Sequence, residues 1–131
     1  MLLDVQPWGV ASQGPLRRGQ TLLAPFVYSD LAGSKGRPAC VVSSAAYNDG
    51  PDVIVAMITS GRRVVDRPGF GDVVLSDWEQ AGLRLPSVLR AGRLMVLEQR
   101  LLGDSLGDLS GGDREAVDLA LMAALGLTYS S

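Results

Sequence analysis

Histidine is absent from this chain of 131 residues, and cysteine occurs once, as Cys40. The first absence excludes His-dependent triads, histidine-pair acid-base chemistry and the common His-containing zinc and iron sites. The second excludes a thiolate cage and any internal disulfide. Any chemistry must therefore come from arginine, hydroxyl or carboxylate groups, and a reaction with no metal and no organic cofactor is expected. A lone cysteine within an apolar strand also fits a reducing compartment. Long hydrophobic runs are missing too. The first ten residues lack a basic n-region and carry Asp4, and the apolar stretch near the C-terminus is interrupted by Asp118 and too short to span a bilayer. The expectation is a cytoplasmic protein without a membrane partner.

Hydrophobic residues make up 47% of the chain and charged residues 20%, which separates it from disordered sequences and provides enough apolar surface for one core. Residues 1–16, with Pro7, Gly9, Ser12 and Gly14, read as an irregular N-terminal arm pinned by Trp8; residues 17–131 read as one domain. A net charge of −2 conceals an asymmetry. Ten of the twelve cations lie between Arg17 and Arg93, whereas six acids follow Arg93 against only Arg100 and Arg114. Such a distribution permits a polyanion on one face.

Two short β-branched runs organise the rest. Residues 38–43 and 53–60 each read as a strand buried on both faces, and Arg37, Thr59 and Ser60 then fall at strand ends, at a rim where chemistry is accessible. Pro38 keeps Arg37 extended and suits the first position of a strand. Ahead of them lies a strand over 20–28, in which Pro25 calls for an edge or a bulge, and a loop over 29–36 long enough to act as a lid. After them come a helical turn beginning at Ser44, an arginine-bearing loop over 61–71 and a strand over 72–75. A short helix over 77–81 follows, with Ser76 as cap and Gly82 as stop. Two further strands, 87–91 and 93–98, are separated by a bend at Gly92. A final helix starts at Ser110, with Asp113 near its positive end, and stops at Gly126. Trp78 reads as a packing anchor for the short helix. Short strands with little helix between them predict a mainly β fold, a small barrel of five to six strands with a C-terminal helix.

The order of these pieces resembles the MazF/PemK family of toxin endoribonucleases, the mRNA interferases. The matching features run from Arg18-Gly19-Gln20 through Pro25-Phe26, Ser29-Asp30-Leu31 and Gly36-Arg37-Pro38-Ala39-Cys40-Val41-Val42-Ser43 to Tyr47-Asn48 and Ile58-Thr59-Ser60. They continue with Asp77-Trp78, Gly82-Leu83, Pro86-Ser87-Val88-Leu89-Arg90 and Leu106-Gly107-Asp108-Leu109-Ser110. The likeness covers roughly residues 17–126, and its specificity lies in order and spacing. It implies an SH3-like barrel, a homodimer, a cognate antitoxin partner within a type II toxin-antitoxin system, and metal-independent cleavage of single-stranded RNA. Arg37 matches the family's catalytic arginine and Thr59 its catalytic hydroxyl position; Lys35, Ser60, Arg62 and Arg90 are the expected RNA-binding residues. Gln20 stands where an acid is frequent, Gly36 where a bulkier or basic residue is common, and the sequence pI of about 4.9 is low for such toxins. Two other readings share the fold: a non-enzymatic module of the gyrase-poison kind, and an inactive member kept for partner binding.

RNA supplies a nucleophile of its own in the 2′-hydroxyl, so the absence of histidine does not preclude cutting. Attack on the adjacent phosphorus leaves a cyclic phosphate and a 5′-hydroxyl. An arginine fork can clamp that phosphate through two donors and stabilise the charge added at the phosphorane.

Overall fold

A computed structural model describes residues 5–6, 9–10, 14–26 and 35–128. Within the predicted N-terminal arm, β1 (Val5–Gln6) pairs antiparallel with β2 (Gly9–Val10). The remaining strands are β3 (Gln20–Phe26), β4 (Lys35–Val41), β5 (Asp52–Ser60), β6 (Asp72–Val74), β7 (Ser87–Glu98) and β8 (Ser105–Asp108). They form one six-stranded sheet in the order β6-β7-β5-β4-β3-β8, antiparallel at every pairing. Short helices α1 (Ala45–Asn48) and α2 (Arg62–Asp66) interrupt the strands, and α3 (Gly111–Leu125) closes the domain. The mainly β class with a C-terminal helix is as the sequence predicts. Among the described residues, no helix is long and apolar enough to cross a membrane.

Both central strands bury both faces, because their alternate side chains meet separate cores. Ala39, Val41, Val53 and Val55 join Leu16, Leu22, Ala24 and Leu102 on one face. On the other, Cys40, Ala56 and Ile58 join Leu75, Leu83, Leu89, Val117 and Leu121. Helix α3 seals this second face through Val117 and Leu121, supported by Ala116, Ala120 and Ala124. Its ends are as the sequence indicates. The Ser110 hydroxyl accepts from the Asp113 N–H, and Gly126 turns left-handed at φ 71° so that Leu127 N–H reaches the Met122 carbonyl at 2.8 Å.

Tertiary contacts overrule local signals at several points. β4 begins at Lys35 rather than Pro38, so Arg37 is its third residue, paired with Ala24, and not a strand-end residue. The arginine-bearing stretch expected to be loop contains α2, which packs on β5 and β7. The two strands expected around Gly92 are one continuous β7. Its register with β5 jumps from Met57↔Arg90 to Ala56↔Leu94, so the predicted bend is a bulge inside a strand. The expected helix over 77–81 is only a succession of turns, with one i→i−4 bond from Ala81 N–H to Asp77 O at 3.2 Å. A segment so short forms a helix only if its neighbours favour one, and here they fix a turn. β8 had no sequence signal; it forms because β3 offers an unpaired edge at Gln20, Thr21 and Leu22. Pro25 sits where expected: the N–H of Leu23, two residues earlier, goes to Asp104 O, and beyond that point β8 no longer pairs with β3. The predicted lid lies almost wholly outside the described residues.

The turn over residues 76–83 is clamped by polar contacts. Buried Asp113 accepts from the N–H groups of Ser76 at 3.0 Å and Asp77 at 2.9 Å through its two oxygens, and Thr21 Oγ1 donates to Ala81 O at 2.6 Å. Two glycines allow the close approach. A Cβ on Gly82, already at φ 79°, would lie 2.1 Å from Leu106 O, and one on Gly107 would lie 2.8 Å from Gln80 O. Trp78 is half-buried against the same core, the anchor expected of it.

Asp113→Ala leaves two N–H groups without their acceptors and is expected to cost about 2 kcal/mol, a drop in thermal midpoint on the order of 5–10 °C. Asp113→Asn, which keeps one carbonyl oxygen, should fall between; calorimetry of the three proteins checks the order. The Cys40 thiol is fully buried, and burial pushes its pKa up to about 12. Native protein at pH 8 should therefore resist a thiol reagent that labels it at once in guanidinium. The unfolded thiol ionises first as pH rises, so the stability tied to Cys40 is complete below about pH 9 and is lost between there and about pH 12. Denaturant titrations across that window should show wild type losing stability with rising pH that Cys40→Ala does not lose.

Candidate active site

The ladder between β4 and β5 pairs Ala39 with Met57, Cys40 with Ala56 and Val41 with Val55. Arg37 and Thr59 lie two residues beyond the last pair, Ala39 with Met57, on β4 and β5, where both line one cleft. Neither position was adjacent in sequence to the other. At this end of the sheet a cleft of about 400 Å³ opens between the strand ends and the segment that leads from the clamped turn into β7. Arg37, Thr59 and Ser60 line it on the sheet side, and Leu83, Arg84 and Leu85 line it on the other. Because the cleft lies where the ladder ends, residues of both alternating sets reach it, Pro38 and Ile58 among them.

Each functional side chain is held from behind. Arg37 is exposed, yet its flanks are fixed by the pairing of Leu23 with Pro38 and of Pro25 with Gly36. Thr59 is half-buried and locked between neighbours, since β5 pairs it with Val88 of β7. Ser60 pairs with Ser87, whose hydroxyl donates to Leu85 O at 2.7 Å and so holds the opposite wall in place. Among the described residues, the cleft wall carries two arginines and no carboxylate, although the chain as a whole is acidic with a net charge of −2. A cleft of one sign attracts the opposite one, and here the opposite sign is an anion. Among the described residues, no group of three or more His, Cys, Asp or Glu side chains comes together.

The other expected residues divide. Lys35 opens β4, but its side chain lies outside what is described. Arg62 begins α2 and is exposed away from the cleft wall. Arg90 lies off the wall as well, and its Nε is 3.2 Å from the Asp72 carboxylate in an ion pair. Asp72 is thus engaged with Arg90. Arg84 and Ser87 were not among the expected site residues. The only available signal was position, since Arg84 falls between Gly82-Leu83 and Pro86-Ser87, two of the pieces that carry the family likeness.

A smaller cavity of about 10 Å³ lies beneath Arg18 and Arg114 and reaches Cys40. It has room for a water molecule at most. Arg18 pairs with Asp118 there and donates to Val42 O at 3.2 Å, tying β3 to α3.

Comparison with known proteins bears on the fold and the family. An endoribonuclease from Mycobacterial species is 25% identical, with a TM-score of 0.69 over 89% of this chain and 97% of that one. A Mycobacterial endoribonuclease in complex with its cognate antitoxin is 26% identical, with a TM-score of 0.69 over 88% of this chain and 99% of its own. The MazE-MazF complex of Deinococcus radiodurans, at 22% identity and a TM-score of 0.67 over 88% of this chain and 100% of that chain, shares the fold. No curated protein matches the sequence. Residues 17–125 match the family of PemK-like, MazF-like toxins of type II toxin-antitoxin systems, and with that match spanning most of its length the chain belongs to this family.

Proposed function

We propose that the protein is an endoribonuclease that cuts single-stranded RNA in this cleft, using the substrate's 2′-hydroxyl as nucleophile, Arg37 as phosphate clamp and Thr59 as the hydroxyl that orients the same phosphate. The observation that carries the reading is the convergence of Arg37 and Thr59, 22 residues apart in sequence, on one cleft whose wall, among the described residues, bears cations and no acid. Family membership and the activity named for the Mycobacterial relatives agree with it. The arginine fork donates two hydrogen bonds to the non-bridging oxygens, a geometry a lysine point charge does not reproduce. As the 2′ oxygen bonds to phosphorus, charge builds on those oxygens, and the clamp binds the phosphorane more strongly than the ground state. The 2′ proton is given up, the bond to the 5′ oxygen breaks, and that oxygen is protonated; the ends are a cyclic phosphate and a 5′-hydroxyl. Ser60 extends the hydroxyl wall beside Thr59, and Lys35 and Arg62 are the further cations assigned to the RNA path. Cytoplasmic location follows from the proposed substrate. The partner that silences the toxin is an antitoxin, by analogy with the Mycobacterial complex.

Arg37→Ala should keep a thermal midpoint near wild type and lose RNA cleavage by at least a hundredfold, with Arg37→Lys only partly restored. Product masses in EDTA complete the test. An RNA with one 2′-deoxy nucleotide at the cleaved position should remain whole while the all-ribose strand yields a cyclic phosphate. A 5′-phosphate product, cutting of the deoxy strand, or full activity of the alanine variant overturns the assignment.

The same reading includes a homodimer. Leu119, Leu125 and Leu127 are 62%, 56% and 58% exposed on and just beyond α3, and Val96 on β7 is 57% exposed, more apolar surface than solvent-facing elements ordinarily carry. Light scattering at micromolar concentration should give twice the chain mass of 13.8 kDa. A monomer that still cuts RNA refutes it.

A further inference from the structure

Arg84 stands on the one stretch of the cleft wall that the proposed chemistry leaves unused. The segment 84–86 spans only three residues between two fixed points. Before it, Leu83 is buried in the core and its N–H bonds to Trp78 O at 3.1 Å, behind Gly82, which is pressed on Leu106. After it, Ser87 is 3% exposed, its hydroxyl bonds back to Leu85 O, and its own carbonyl accepts from Leu75 N–H at 3.0 Å. Pro86 restricts the backbone between them. The base of the Arg84 side chain is thus held rigidly, and the exposed residue lines the same cleft as Arg37. Among the described residues Arg84 forms no ion pair, whereas Arg17, Arg18, Arg90 and Arg100 each meet a carboxylate.

We infer that Arg84 forms a second phosphate subsite, which holds a backbone phosphate of the RNA next to the one that Arg37 clamps. The inference rests on the proposed RNA cleavage. The two cations line one cleft from elements of different origin, one from β4 and one from the segment before β7, and in the inferred arrangement a strand lying in the cleft meets them at successive phosphates. Arg84 then acts on bound substrate and transition state alike and sets affinity and register, with the chemical step left to Arg37 and Thr59. It is a positioning residue.

The test compares wild type with Arg84→Gln, Arg84→Lys and the exposed, off-cleft control Arg67→Gln. For cleavage, Arg84→Gln should raise KM about tenfold with kcat within about twofold. For binding, an uncleavable 2′-O-methyl RNA of mixed sequence is titrated at several salt concentrations. Loss of one phosphate contact should lower the slope of log affinity against log salt by about 0.7 in Arg84→Gln, with the slope retained in Arg84→Lys and Arg67→Gln. Unchanged KM and slope in Arg84→Gln overturn the subsite, as does an equal change in Arg67→Gln, which marks a general charge effect. A fall in kcat with KM unchanged overturns the positioning role and assigns Arg84 to the scissile phosphate. Wild-type protein that binds the 2′-O-methyl strand with the Arg84-dependent slope but never cuts RNA would sink the proposed catalysis and leave the subsite standing.

Discussion

The register between β4 and β5 is the constraint on which the rest of the molecule depends. Three pairs, from Ala39↔Met57 to Val41↔Val55, decide which side chains enter which core and which meet at the sheet's end. A slip of one residue would exchange the two faces of a strand, sending Cys40 and Ala56 toward the wrong core and separating Arg37 from Thr59. Such a slip is opposed on both sides at once, because Ala39 and Val41 are as fully buried as Cys40. Stability and site geometry are thus secured by the same packing.

The opposite wall of the cleft is built by a different device. The turn over 76–83 has too few residues to hold a shape by itself, and its form comes from the Asp113 carboxylate, the Thr21 hydroxyl and two glycines that let it lie against β8. Asp113 serves two elements, since its N–H is capped by Ser110 at the start of α3 while its side chain holds the turn. The terminal helix, remote from the cleft in sequence, consequently supports one of its walls. Polar groups buried with every partner in place rigidify a region in this way, and a rigid wall suits a site that must present guanidinium groups at fixed positions.

The charge of the cleft is also a local matter. An acidic chain repels a polyanion at long range, but within a Debye length, about 8 Å at physiological salt, nearby groups dominate. Among the described residues, Asp72, Asp108 and Asp118 pair with Arg90, Arg17 and Arg18, none of which lines the cleft. The low pI therefore says little about what the cleft accepts.

What the sequence by itself determined is whatever depends on near neighbours. The β-branched runs specified β4 and β5, Pro25 marked the end of an edge, and Ser110 with Gly126 set the limits of α3, because strand patterning and helix capping act over a few residues. The order of short pieces was enough to indicate the family and to single out Arg37 and Thr59. Only the tertiary structure decided the rest. Gly92 lies in a bulge of one strand rather than a break between two, since β5 runs alongside both halves of β7. Residues 77–81 form turns, since the Asp113 carboxylate and the Thr21 hydroxyl take up their backbone groups from outside the segment. Arg90 goes to Asp72 and Arg84 to the cleft, although both are arginines near the same matched segment, since which side of β7 or which end of a turn a side chain occupies is fixed by pairings distant in sequence. Local chemistry names the groups available; only the long-range pairing brings two of them to the same cleft.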